Sequence, residues 1–96
     1  MKEDQIDEIK KTLIEVLRKH RVKKAALFGS IVRGEATEES DIDLLIEFEG
    51  RKSFLDLAGL KLELQELLGR KVDVLTYKSL HPLLKERILS EQEVIL

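Results

Sequence analysis

The sequence predicts an α+β fold in which a small mixed β-sheet of three strands, with a possible short fourth strand at its edge, is flanked by helices. Three observations lead there. Apolar residues near the N-terminus recur at helical spacing, a clean alternation of period two runs from Asp41 to Glu49, and helical and extended patterns then follow one another to the C-terminus.

Ile6, Ile9, Leu13, Val16 and Leu17 fall three and four residues apart, which places one apolar stripe on an otherwise charged helix. The cations Arg18, Lys19 and Arg21 around His20 suit its C-terminal end. Ala25-Ala26-Leu27-Phe28 is a short buried strand stopped by Gly29, and a short turn or helix follows. In the 41–49 alternation Ile42, Leu44, Ile46 and Phe48 share one face, and Asp41, Asp43, Leu45, Glu47 and Glu49 share the other. Ser53 with Asp56 forms a capping box for a helix through Leu68, and Gly69 is placed to end it in a left-handed cap. Leu57, Leu60, Leu64, Leu67 and Leu68 are expected to face the core. Leu55 and Leu62 lie off that stripe, and a wide core wrapping the helix is favoured over a partner surface. Val72–Thr76 is a third strand, expected at or near the sheet centre. A helix from about Ser79–Pro82 to Leu89 follows, with Pro tolerated in its first turn, and Glu93–Leu96 supplies the short edge strand.

Ninety-six residues, 43% hydrophobic and 38% charged with net charge −2, suit one small folded domain spanning 1–96 and exclude a disordered tail. The absence of cysteine excludes disulfides, thiolate zinc sites and cysteine nucleophiles. The polar start MKEDQIDEIKK and the lack of a long apolar run point to a cytoplasmic protein with no membrane association. Richness in Glu, Lys and Arg without Asn or Trp resembles thermophile composition.

The chemistry is concentrated between Phe28 and Leu44. Asp41 and Asp43, two apart on a strand, leave the same face with Cα atoms about 6.5–7 Å apart. Two carboxylates aimed into one space repel unless a cation lies between them, and Mg²⁺ binds through one or two carboxylates plus substrate phosphates. On its own, Asp-x-Asp also fits the wet face of a half-exposed strand, as Glu47 and Glu49 illustrate. Asp73 interrupts an apolar strand and is a candidate third acid, either extending the metal site or acting as general base; an edge position or pairing with a nearby cation would explain it equally well. Gly29-Ser30, closing a strand and opening a short helix, can turn backbone N–H groups and a hydroxyl toward a triphosphate. Arg33 can add charge there, and Gly34 allows the turn that follows. The Lys-Ser/Thr ending of a P-loop and the spacing of a dinucleotide fingerprint are both missing.

Taken together, Gly29-Ser30, ten residues, then Asp41-Ile42-Asp43 resembles the signature of the nucleotidyltransferase superfamily that includes DNA polymerase beta. Within it the chain looks like the minimal nucleotidyltransferases, the MntA-type antitoxins paired with HEPN-domain toxins. The likeness takes in Arg33-Gly34, Ser40 and the later Asp73 and spans nearly the whole chain. It implies the nucleotidyltransferase fold, with Gly29, Ser30, Arg33 and Ser40 at the nucleotide, and with Asp41, Asp43 and Asp73 as catalytic, Mg²⁺-binding acids. It further implies two Mg²⁺ ions, ATP as donor, and transfer of AMP to a tyrosine of a HEPN toxin, which is thereby neutralised. Independently, so small a domain has little surface to enclose an acceptor, so the acceptor is expected to be a macromolecule.

Other features carry less. The basic cluster around His20 suits helix termination, and neither His20 nor His81 has ligand-like spacing. Tyr77 suits a core edge better than a base-stacking position. The alternative function is a non-catalytic antitoxin that inhibits its partner by occlusion. Direct nucleic-acid binding is disfavoured by the net charge and by an aromatic content of 4%.

Overall fold

The structure, a computed structural model, describes residues 1–96. In chain order it contains α1 (Glu3–Lys19), β1 (Val22–Phe28), α2 (Ser30–Arg33), β2 (Ile42–Phe48), α3 (Phe54–Leu68), β3 (Val72–Thr76), a 3₁₀ turn (Tyr77–Ser79), α4 (Pro82–Glu91) and β4 (Glu93–Val94). The four strands form one mixed sheet in the order β3-β2-β1-β4. β1 runs antiparallel to β2 and β4, while β2 and β3 are parallel and joined through α3.

The periodicities explain which side each element buries. Ile42, Leu44 and Ile46 alternate onto the face that also receives Ala25, Leu27 and Val72, and α1 adds Leu13, Val16 and Leu17 while α3 adds Leu60 and Leu64. Each leucine-sized side chain buried there contributes roughly 1.5–3 kcal/mol. A one-residue slip of β2 would turn three fully buried residues outward, so this core sets the register. The expected capping box is present, with the Ser53 hydroxyl accepting the Asp56 N–H and an Asp56 oxygen accepting the Ser53 N–H at 2.8 Å. Gly69 ends α3 in the left-handed region at φ 65°.

Four expectations are corrected. β1 begins at Val22 rather than Ala25, across two exposed lysines and an irregularity in its pairing with β2. β3 is an edge strand, because β2 alone lies beside it. Leu67 is exposed rather than core-facing. The core does not wrap α3 widely, since Leu55 and Leu62 remain 83% and 65% exposed. The cations at the end of α1 are partly tied to α3, where Lys19 at the surface and the half-buried His20 both reach Glu63 at 3.1 Å. No helix is long and apolar enough to cross a membrane.

Candidate active site

β2 carries Ile42, Leu44 and Ile46 into the core, so alternation sends Asp43 to the opposite face of the sheet. Its antiparallel partner is Phe28, the last residue of β1, and its parallel partner is Asp73 on β3. Asp43 and Asp73 are therefore side by side on adjacent strands, about 4.7–4.9 Å apart in backbone spacing. Asp41 lies one residue ahead of β2 rather than within it.

Gly29 caps α2 at φ 78°, a conformation that L side chains seldom adopt, and it is buried. A Cβ at Gly29 would collide with the Asp43 carboxylate. Thus the bend after β1 and the acids of β2 and β3 adjoin one another, with Asp43 between them. Ser30 opens α2 and is half-buried, and Gly34 closes it in the left-handed region at φ 74°.

The electrostatics follow from this crowding. Burial, then the charges of Asp73 and Asp41, raise the Asp43 carboxyl above the usual range. One ammonium stands against two of the acids, with Lys71 Nζ 3.8 Å from both Asp41 Oδ2 and Asp73 Oδ1. No three His, Asp or Glu side chains meet closely enough, as they stand, to hold a metal ion. The acids share a face and a neighbourhood, and a cationic group of the chain stands between two of them.

Arg33 is exposed, and its guanidinium donates from Nε to Glu35 at 2.7 Å and from Nη1 to Glu91 at 3.0 Å. The Ser40 hydroxyl accepts the Thr37 N–H at 2.8 Å and closes the loop before Asp41. The Arg70 guanidinium clamps the same loop, donating to the carbonyls of Thr37 and Ser40 at 3.2 Å and of Glu38 at 2.6 Å. Arg70, Lys71 and Glu91 were not anticipated. Arg70-Lys71 directly before an acid-bearing strand was a usable signal; Glu91, one acid among many on a polar helix, offered none. A crevice of about 420 Å³ between Phe48, Arg51, Lys52 and Tyr77 lies at the far, carboxyl ends of β2 and β3 and includes none of the acids. Tyr77 sits at the edge of the fold, its hydroxyl donating to Gln92 Oε1 at 2.9 Å and its ring under the Lys24 ammonium.

The chain is similar to known proteins over nearly its whole length. Residues 9–95 match the family described as nucleotidyltransferase domain. A Methanocaldococcus jannaschii protein, provisionally named a protein adenylyltransferase, is 60% identical over 86 residues, which are 90% of this chain and 92% of that one. The protein adenylyltransferase MntA of Thermococcus cleftensis is 39% identical over 77 residues, 80% of this chain and 78% of its own. Among solved structures, a protein provisionally described as a minimal nucleotidyltransferase superposes with TM-score 0.82 at 38% identity, over 97% of this chain and 95% of that one. A complex of tri-AMPylated Shewanella oneidensis HEPN toxin with MNT antitoxin contains a chain of the same fold, with TM-score 0.75 at 18% identity, over 94% of this chain and 71% of that one. The chain belongs to the nucleotidyltransferase family and, within it, to the minimal, MntA-type protein adenylyltransferases.

Proposed function

We propose that this protein is a Mg²⁺-dependent adenylyltransferase that moves AMP from ATP to a tyrosine of a HEPN-domain toxin and so acts as its antitoxin. The observation that carries the reading is the position of Asp43, packed against the Gly29 bend on one side and beside Asp73 on the other. The AMPylated toxin bound to an MNT antitoxin in a structural relative supports the choice of partner.

The three carboxylates are the ligand type that Mg²⁺ takes, and they would have to draw closer than they stand here to share one ion. Asp43 is raised by burial first and then by the negative charge of Asp73 and Asp41, the part a cation would relieve, and the Lys71 ammonium already stands against Asp41 and Asp73. Asp41, Asp43 and Asp73 would hold Mg²⁺, two ions in the full site, which when bound neutralises triphosphate charge. The Gly29 and Ser30 N–H groups and the Ser30 hydroxyl bind phosphate oxygens, and Arg33 adds a guanidinium to them. Asp73 takes the proton of the acceptor hydroxyl as its oxygen bonds to the α-phosphorus and pyrophosphate departs. Asp41 and Asp73 are only partly covered, which leaves them accessible to a side chain presented by another folded protein. Ser40 acts at one remove, by holding the loop that delivers Asp41.

The test is transfer of label from the α-phosphate of ATP to a HEPN partner, with Mg²⁺ present and then chelated. Transfer is expected from the wild type and lost, by at least about 100-fold, in Asp41→Asn and Asp43→Asn; mass spectrometry of the partner locates the modified tyrosine. The apolar stripe on α3 keeps a second reading in play, in which the protein only covers its partner. Neutralisation by the two Asn variants at equal amounts, without label on the partner, would establish that instead.

A further inference from the structure

Glu91 closes α4 and reaches the bend that follows β1. A single oxygen, Oε1, accepts the Gly29 N–H at 2.6 Å and an Arg33 guanidinium N–H at 3.0 Å. Both donors are ones assigned above to the triphosphate. An oxygen held in this way resembles a phosphate oxygen, being anionic, acceptor-only, and bonded to a backbone N–H and a guanidinium. The Gly29 bond, with Arg33 beside it, keeps the Glu91 carboxyl below the usual range, so it is charged at neutral pH. Its charge is also felt at Asp43, which places it within reach of the acids.

The helix that brings Glu91 here is lightly attached. α4 has no buried residue, and Leu83 is 85% exposed. Beyond Glu91, the next residue along, Gln92, accepts the Tyr77 hydroxyl. An incoming polyanion cannot share the Gly29 N–H and Arg33 with a carboxylate without bringing like charges into contact.

We propose that the Glu91 carboxylate is an internal anion standing in the triphosphate subsite, and that nucleotide enters by displacing it together with the end of α4. This rests on the reading of Gly29 and Arg33 as phosphate ligands. It makes Glu91 a competitor for nucleotide, in contrast to a residue that positions Arg33 for it.

The two roles predict opposite signs. Tripolyphosphate binding is measured by calorimetry on the wild type, Glu91→Gln, which keeps the size and loses the charge, and Glu91→Ala. A carboxylate occupying the subsite some nine-tenths of the time weakens apparent affinity roughly tenfold, so both variants are expected to bind about tenfold more tightly. Unchanged or weaker binding overturns the proposal. Tyr77 is the single tyrosine and there is no tryptophan, so its emission reports the contact with Gln92 without substitution. Saturating tripolyphosphate, which does not absorb in the range used, is expected to change that emission in the wild type; a constant signal also overturns the proposal. Binding by no variant overturns it together with the phosphate role of the bend. Tighter binding in the variants without any nucleotide transfer would remove the enzymatic reading and leave this one standing, whereas transfer with unchanged affinities would do the reverse.

Discussion

Asp43 is held where its charge is unwelcome, because burial and the nearby Asp73 and Asp41 raise its carboxyl above the usual range. In linkage terms the native state keeps a proton that the unfolded chain has already released. The stability this group contributes is present below its unfolded value and is lost as pH rises through the raised native value. Glu91 works in the opposite sense: its lowered carboxyl contributes stability above the ordinary range that is lost as pH falls. Asp43→Asn is therefore expected to raise the melting temperature of the metal-free protein at neutral pH by about 2–8 °C, to flatten its pH dependence, and to abolish transfer. Gly29→Ala should act on both fronts at once. A Cβ there meets the Asp43 carboxylate and the backbone has a positive φ of 78° in a region essentially restricted to glycine, so a loss of about 1–3 kcal/mol is expected in denaturant melts, with transfer lost as well. Asp41, Asp43 and Gly29 could be read from the sequence because their identity and spacing are local. The contact of Glu91 with Gly29 spans 62 residues, and no periodicity in α4 hints at it.

Among the elements, α3 shows where local rules suffice and where they stop. Its ends follow from Ser53, Asp56 and Gly69, each acting within a few residues along the chain. Ser53→Ala removes the cap and should cost about 1 kcal/mol in chemical denaturation while leaving transfer unchanged. Its buried face does not follow from its own sequence, because leucines occupy nearly every side of it and the placement of α1 and the sheet decides that Leu60 and Leu64 are covered while Leu62 and Leu67 are not. β1 illustrates the converse. Lys23 and Lys24 look like loop residues, yet the strand extends through them because β2 offers a ladder as far as Phe48, opposite Val22. Propensity yielded there to pairing.

At the level of the whole molecule, helices α1 and α3 cover one face of the sheet and leave the acids on the other. Phe54, Leu55 and Leu62 of α3 remain exposed, with Ala58 and Gly59 between them on the surface. If a HEPN partner is held there, Leu55→Glu and Leu62→Glu should each weaken the complex about tenfold or more in titration, while thermal stability shifts by no more than about 0.5 kcal/mol. Asp73 by itself leaves an edge position of β3 open without deciding it, since strand order depends on how α3 crosses over rather than on the strand itself. The ladder that sets this topology couples heredity to chemistry in an uneven way. Phe28, Asp43 and Asp73 lie across one rung of it, and that rung is held in place by side chains on the reverse of the sheet. Substitutions that spare the reverse can silence the acids without disturbing the scaffold, so a lineage built on this plan can lose its reaction in one step and still inherit its shape and its grip on a partner.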